Sequence, residues 1–184
     1  MMGAVTQSCR WRVKNAAGAL GAEISGIDLT SEMSVGDYGE IRRMLVEHEV
    51  IFFREQAVSH AQQKALALSF GPLQTHPAYH TVEGFPEITI LESTPQKPTK
   101  IECWHSDMTF RQHPPLGTIL RARVIPDKGG DTLWSSMTAA YDALSPTMQS
   151  FLSSLSAMHD FSYGFKESLA EAGGRERLAQ AVAD

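Results

Sequence analysis

Trp104-His105-Ser106-Asp107-Met108-Thr109-Phe110 is the stretch on which the reading of this chain turns. It places an imidazole and a carboxylate two residues apart. On an extended strand, residues i and i+2 face the same side with Cα atoms roughly 6.6 Å apart, so both groups can converge on one ion. Two neighbouring vertices of an octahedron would then be filled. One more histidine from a distant strand would complete a two-histidine, one-carboxylate face, leaving three positions open. That donor set suits Fe(II). The spacing alone is weak, because about 0.3 such triplets arise by chance in a chain of this make-up. On spacing alone, an exposed ion pair or a capping aspartate is the commoner explanation. Cys103 would share the strand face, yet positions 103 and 107 lie about 13 Å apart along an extended chain, too far to meet one small ion. Cys103 is therefore read as a buried or near-site thiol.

Outward from this stretch, the pattern is one of short strands and a few helices. Gly18 to Leu29 alternates as a strand or hairpin arm, and Val50 to Phe53 is a short apolar strand. Thr30 or Ser31 is placed to cap a helix carrying Ile41, Leu45 and Val46, which ends near His48. Ser59 caps a second helix, Ala61 to Phe70, stopped by Gly71-Pro72. Glu87 to Leu91 and Leu116 to Val124 read as strands, with a turn over Pro126 to Gly130 and a short extended piece over Asp131 to Trp134. Ser136 to Leu144 and Pro146 to Leu155 read as helices with Leu and Met facing inward. Ala157 to Phe161 reads as a strand, and Lys166 to Ala183 as a polar helix broken at Gly173-Gly174. No glycine-rich phosphate loop follows any strand, which argues against a nucleotide-binding α/β fold. The expected class is mostly β with packed helices (α+β), an antiparallel roll.

Size and charge narrow the function. At 184 residues, 1–184 reads as a single domain. A net charge of -5 argues against nucleic acid, whose phosphates need a basic face. No stretch approaches the roughly 20 apolar residues of a membrane span, and Met1 to Lys14 lacks a signal-peptide core. Two cysteines, Cys9 and Cys103, make no disulfide framework. A cytoplasmic location is the expectation.

Taken together, several motifs resemble one family. Trp104 to Phe110, Pro114-Pro115, Gly129-Gly130-Asp131-Thr132-Leu133-Trp134, Ala140-Tyr141 and His159-Asp160-Phe161 are similar to the taurine dioxygenase (TauD/TfdA) family of Fe(II)- and 2-oxoglutarate-dependent oxygenases. So are Gly21 to Leu29, Val50 to Gln56, and Phe70-Gly71-Pro72 with His76-Pro77. The matches run in the family's order from about Gly18 to Phe165. The resemblance implies a double-stranded β-helix (jelly roll), with Fe(II) held by His105 and Asp107 and 2-oxoglutarate contacted by Thr132. It implies a substrate pocket lined by His76, Tyr79 and Phe165. His76 would donate to an anionic head and Phe165 would wall off the hydrocarbon part. The implied reaction hydroxylates a small organic acid, a sulfonate of taurine type, using O2 and converting 2-oxoglutarate to succinate.

Two departures qualify this. Ile101 stands where taurine-type members carry Asn, and an apolar side chain there leaves other sulfonates, alkyl sulfates and aryloxy acids open. The family's second histidine ligand and its 2-oxoglutarate-pairing arginine find no match before Asp184. His113, His159, Arg175 and Arg177 are poor substitutes. The expectation is a roll incomplete at its C-terminus, binding iron weakly and turning over little or nothing. Unpaired strand edges would favour self-association into a homo-oligomer. The rival is a non-catalytic or decayed jelly-roll binding module. A zinc hydrolase using Cys103 ranks last.

Overall fold

The computed structural model describes residues 10–76, 78–96, 98 and 103–179. They divide into two compact units, one built from the chain up to Leu66 with Arg121–Leu155, the other from Ala67–Leu120 with Ser156 onward.

The first unit is organised on a three-stranded sheet. Strands β1 (Arg12–Asn15) and β2 (Ala22–Ser25) pair antiparallel with Val13 opposite Ile24. The turn between them closes through Ala16 N–H donating to Gly21 O at 2.8 Å, with Gly21 at φ 92°. Helix α1 (Val35–His48) then carries the chain over to β3 (Ile51–Phe53), which lies parallel to β2 with Ala22 opposite Ile51. Parallel neighbours need such a crossover. Ala22 and Ile24 share one face of β2, and Ile41 and Met44 share one face of α1; all four are buried. The predicted strands at Gly18–Leu29 and Val50–Phe53 thus exist, shorter at their ends.

The cap of α1 differs from the sequence expectation. Ser34 is the N-cap: Asp37 N–H donates to Ser34 Oγ at 3.2 Å, and Ser34 N–H donates to Asp37 Oδ2 at 2.9 Å. This reciprocal box satisfies two helix-end donors at once. Thr30 and Ser31 are occupied elsewhere. Their hydroxyls donate to Asp28, which turns the chain before the helix begins. Helix α2 (His60–Leu68) is capped as predicted by Ser59, with Gln62 as the reciprocal partner.

Further along the first unit, Leu116 to Val124 holds no strand at either side of the unit boundary. A strand forms only where its N–H and C=O groups find a partner edge, and none pairs with this segment among the described residues. The second unit contributes a hairpin, β4 (Thr81–Val82) with β5 (Phe85–Thr89), turning at Glu83-Gly84 with Gly84 at φ 77°. Pro86 is tolerated because β5 has one edge unpaired among the described residues.

Back in the first unit, α3 (Met137–Asp142) and α4 (Pro146–Leu152) have serine caps, Ser136 and Ser145, and Pro146 opens α4. Tyr141 Oη meets Ser153 Oγ at 2.8 Å, tying the two helices together. Met137 and Met148 are exposed rather than inward, so the expected apolar face is not buried among the described residues. In the second unit, the predicted strand at Ala157–Phe161 is instead an irregular stretch leading into α5 (Phe161–Gly164). Asp160 caps it by accepting Ser162 N–H at 2.8 Å. Helices α6 (Lys166–Ala170) and α7 (Gly174–Arg177) follow, broken at Gly173 as read from the sequence. The roll expected from the sequence is not complete among the described residues, which form two small sheets and short helices.

Candidate active site

His105 and Asp107 sit in the second unit, in a segment with no strand pairing. The expectation that a strand face aligns them is therefore corrected. A bend does it instead. Met108 adopts a left-handed φ of 56°, and Arg111 N–H donates back to Met108 O at 3.1 Å, closing a turn right after Asp107. Non-glycine residues adopt that region at a cost, so the surrounding structure must hold it. The result brings His105 Nε2 within 3.1 Å of Asp107 Oδ1.

The other ring nitrogen decides what this contact means. His105 Nδ1 lies 2.8 Å from Cys103 O. A carbonyl only accepts, so Nδ1 carries the proton and, in the neutral ring, Nε2 presents a lone pair. That lone pair faces a carboxylate oxygen, and two acceptors at this distance need a cation between them, either a proton or a metal ion. Two ligands about 2.1–2.2 Å from one ion at right angles are about 3.0–3.1 Å apart, while tetrahedral placement spreads them to about 3.4 Å or more. The pair fits adjacent octahedral positions. The hydrogen bond from Nδ1 to a backbone carbonyl is the kind that orients ligating histidines. No third His, Cys, Asp or Glu joins them among the described residues. Cys103 itself is exposed rather than buried, and takes part through its carbonyl.

Beside the pair, the structure gathers His76, Tyr79 and Phe165. Ring centroids lie 4.5 Å apart for His76 and Tyr79, 5.4 Å for His76 and Phe165, and 6.1 Å for Tyr79 and Phe165. Phe165 stacks on Phe161 at 4.4 Å, and Phe161 meets Phe110 edge-on at 5.0 Å. The buried Phe161 and Leu178 anchor this group, with Ala78 and Leu169 against them. The half-buried rings of His76 and Tyr79 thus form a wall fixed from behind. Both feel the Asp107 carboxylate, which ties the wall electrostatically to the His105–Asp107 pair.

His76 is set up as a neutral donor. Burial pushes its pKa below the ordinary 6.5, against the pull of Asp107, with Arg111 also lowering it. Ala78 N–H donates to its Nδ1 at 3.2 Å, so the ring proton of the neutral form is on Nε2. Burial likewise raises the Tyr79 hydroxyl above 10, and Asp107 adds to that, so Tyr79 stays a protonated donor.

Thr132 belongs to the first unit and is exposed there, following Gly129 and Gly130, both in left-handed backbone at φ 75° and 70°. Ile101 lies outside the described residues. Two nearby side chains make contacts that the sequence reading did not foresee. His159, set aside as a non-ligand, contacts Thr109 Oγ1 through Nδ1 at 2.8 Å, two residues from Asp107. Arg111 places its guanidinium near His76, and a lone arginine has no local pattern that would flag it.

The profile of the taurine catabolism dioxygenase TauD, TfdA family matches residues 12–182. The chain belongs to the TauD/TfdA family. Its TauD/TfdA relatives include an alkylsulfatase of Acinetobacter baylyi, 36% identical over 170 residues, covering 91% of this chain and 53% of that protein. An alpha-ketoglutarate-dependent sulfate ester dioxygenase of Pseudomonas putida is 33% identical over 150 residues, covering 81% and 49%. Among solved structures, a putative alpha-ketoglutarate-dependent taurine dioxygenase from Burkholderia xenovorans matches with a TM-score of 0.71 at 39% identity, over 82% of this chain and 54% of that one. The chain spans about half the length of these relatives. TauD/TfdA enzymes are Fe(II)- and 2-oxoglutarate-dependent dioxygenases, and the two-ligand geometry of His105 and Asp107 fits such a metal. No helix of the described residues is long and apolar enough to cross a membrane.

Proposed function

We propose that this TauD/TfdA chain carries two iron ligands, His105 and Asp107, and the substrate-facing wall of an oxygenase acting on a small organosulfur anion. The observation that carries the reading is His105 Nε2 lying 3.1 Å from Asp107 Oδ1 while Nδ1 is held by the Cys103 carbonyl, an arrangement that a divalent cation would complete in place of a proton. When bound, ferrous iron with 2-oxoglutarate and O2 supplies the oxidant that hydroxylates a C–H bond, 2-oxoglutarate leaving as succinate and CO2.

The chain's own residues supply binding and orientation. His105 and Asp107 hold the metal in adjacent positions and leave others for the co-substrate. Thr132 offers a hydroxyl to a 2-oxoglutarate carboxylate. His76 Nε2–H and Tyr79 Oη–H donate to the substrate's anionic head without carrying charge, and Phe165, braced by Phe161, shields its hydrocarbon part from water. The family match spans residues 12–182, which supports reading 1–184 as a single TauD/TfdA-like domain.

Within organosulfur anions, an alkyl sulfate ester is favoured over taurine. Two relatives with names of that chemistry support it, as does the apolar Ile101 where taurine-type members carry Asn. Hydroxylation of the carbon bearing the ester oxygen converts R–CH2–OSO3⁻, O2 and 2-oxoglutarate to an aldehyde, hydrogen sulfate, succinate and CO2. The test is sulfate release from hexyl sulfate by the protein with Fe(II), 2-oxoglutarate and O2. Equimolar succinate and sulfate, at the low turnover expected of a chain that brings two of the three iron ligands among its described residues and lost in His105→Ala, is the expected result. Sulfate release without 2-oxoglutarate would reveal a hydrolase. Binding without succinate would favour a non-catalytic module.

A further inference from the structure

We infer that Arg111 is a specificity-determining residue, its guanidinium joining His76 Nε2–H to hold the anionic head of the substrate. Three observations on the second unit lead there. Arg111 Nη2 donates to Thr75 O at 3.2 Å, the carbonyl of the peptide bond that leads into His76, so the guanidinium is pinned beside that residue. Arg111 Nε is buried and has no hydrogen-bond partner. No carboxylate pairs with Arg111 among the described residues, unlike Arg10, Arg43 and Arg54, each of which meets an aspartate or glutamate.

A buried guanidinium N–H without an acceptor is costly, and native structures fill such positions. The missing partner is an acceptor, and for a cation the favourable one is an anion. The guanidinium fork offers planar, directed N–H groups, which match the oxygens of a sulfate or sulfonate better than a single ammonium would. His76 contributes a neutral donor from the neighbouring residue, fixed in that tautomer by Ala78 N–H. The two groups differ in kind: Arg111 supplies charge, and His76 supplies direction. The Thr75 contact sets the guanidinium's place, so the head group is read at a fixed distance from His105 and Asp107. The backbone turn at Met108 serves both ends, since it positions Asp107 on one side and Arg111 on the other.

This assignment rests on the organosulfur reading above, and the experiment separates the two. Binding of hexyl sulfate, 1-hexanol and phenoxyacetate is measured by equilibrium dialysis on the wild-type chain, Arg111→Met and Arg111→Lys, with thermal melting of each. Arg111→Met should weaken hexyl sulfate about 10- to 100-fold and leave 1-hexanol unchanged, and Arg111→Lys should restore part of the loss. In the wild-type chain, hexyl sulfate should protect Arg111 from phenylglyoxal, mapped by mass spectrometry, where 1-hexanol does not. This second measurement holds even if Arg111→Met fails to fold. Unchanged hexyl sulfate affinity in a folded Arg111→Met, or no protection, overturns the assignment and leaves the organosulfur reading standing. Equal loss for sulfate and alcohol also overturns it, since that is the mark of a merely structural arginine. Arg111-dependent binding of phenoxyacetate without binding of hexyl sulfate supports the assignment and overturns the organosulfur reading. Binding of neither anion overturns both.

Discussion

His76 shows how one residue's surroundings set its chemistry. Burial holds its imidazole below 6.5, so the unfolded chain takes up a proton there before the folded one does. The group's penalty to folding is absent above about pH 6.5 and grows as pH falls through 6.5 toward the lower folded value. Wild type should therefore lose melting temperature more steeply than His76→Gln between about pH 7.5 and 5.5. Parallel curves would contradict the buried, neutral state. At the same scale, the sequence made the His105–Asp107 spacing legible but not the means of bringing the pair together. Two residues apart suggested a strand face; the turn at Met108 and the Cys103 carbonyl do the work. A left-handed methionine has no composition signal, because the strain is imposed by what surrounds it. Arg111 was silent for the same reason: its meaning lies in a buried N–H, which only packing reveals.

Elements were legible where their signals are local. The Ser59 cap, the helix start at Pro146 and the apolar Val50–Phe53 run each depend on a few adjacent residues, and each formed close to where it was read. Thr30 and Ser31 misled because Asp28 captures their hydroxyls, leaving Ser34 to cap α1. Ser34→Ala should then cost about 1 kcal/mol by urea denaturation, and Ser31→Ala clearly less. The reverse order would return the cap to the sequence reading. Leu116–Val124 failed because a strand is a property of a pair, and the partner is not in the alternation itself. Helices α6 and α7 meet so closely that a Cβ on Gly174 would fall 2.0 Å from Ser168 O. That oxygen is backbone and cannot swing aside. Gly174→Ala should destabilise by about 1–3 kcal/mol and loosen the Phe161–Leu178 anchor. A variant as stable as wild type would show the helices free to separate.

At the scale of the molecule, the surface is as informative as the core. Val124 and Ile125 are adjacent and exposed at 92% and 72%, and Leu133 and Met137 lie open on the same unit. Exposed apolar side chains of this kind promote association. Sedimentation of the chain should show concentration-dependent self-association, reduced in an Ile125→Asp, Leu133→Asp double variant. A monodisperse monomer across the micromolar range would argue against it. The family was legible as an ordered series of motifs from Gly18 to Phe165, which no single motif carried, and the profile match over 12–182 agrees. The central claim remains the metal held between His105 and Asp107. Titration with Mn(II), a spectroscopic substitute for Fe(II), in the presence of 2-oxoglutarate and followed by electron paramagnetic resonance, tests it most directly. The wild-type chain should bind Mn(II), and both His105→Ala and Asp107→Ala should weaken that binding more than about 10-fold. Binding that is indifferent to either substitution would contradict it.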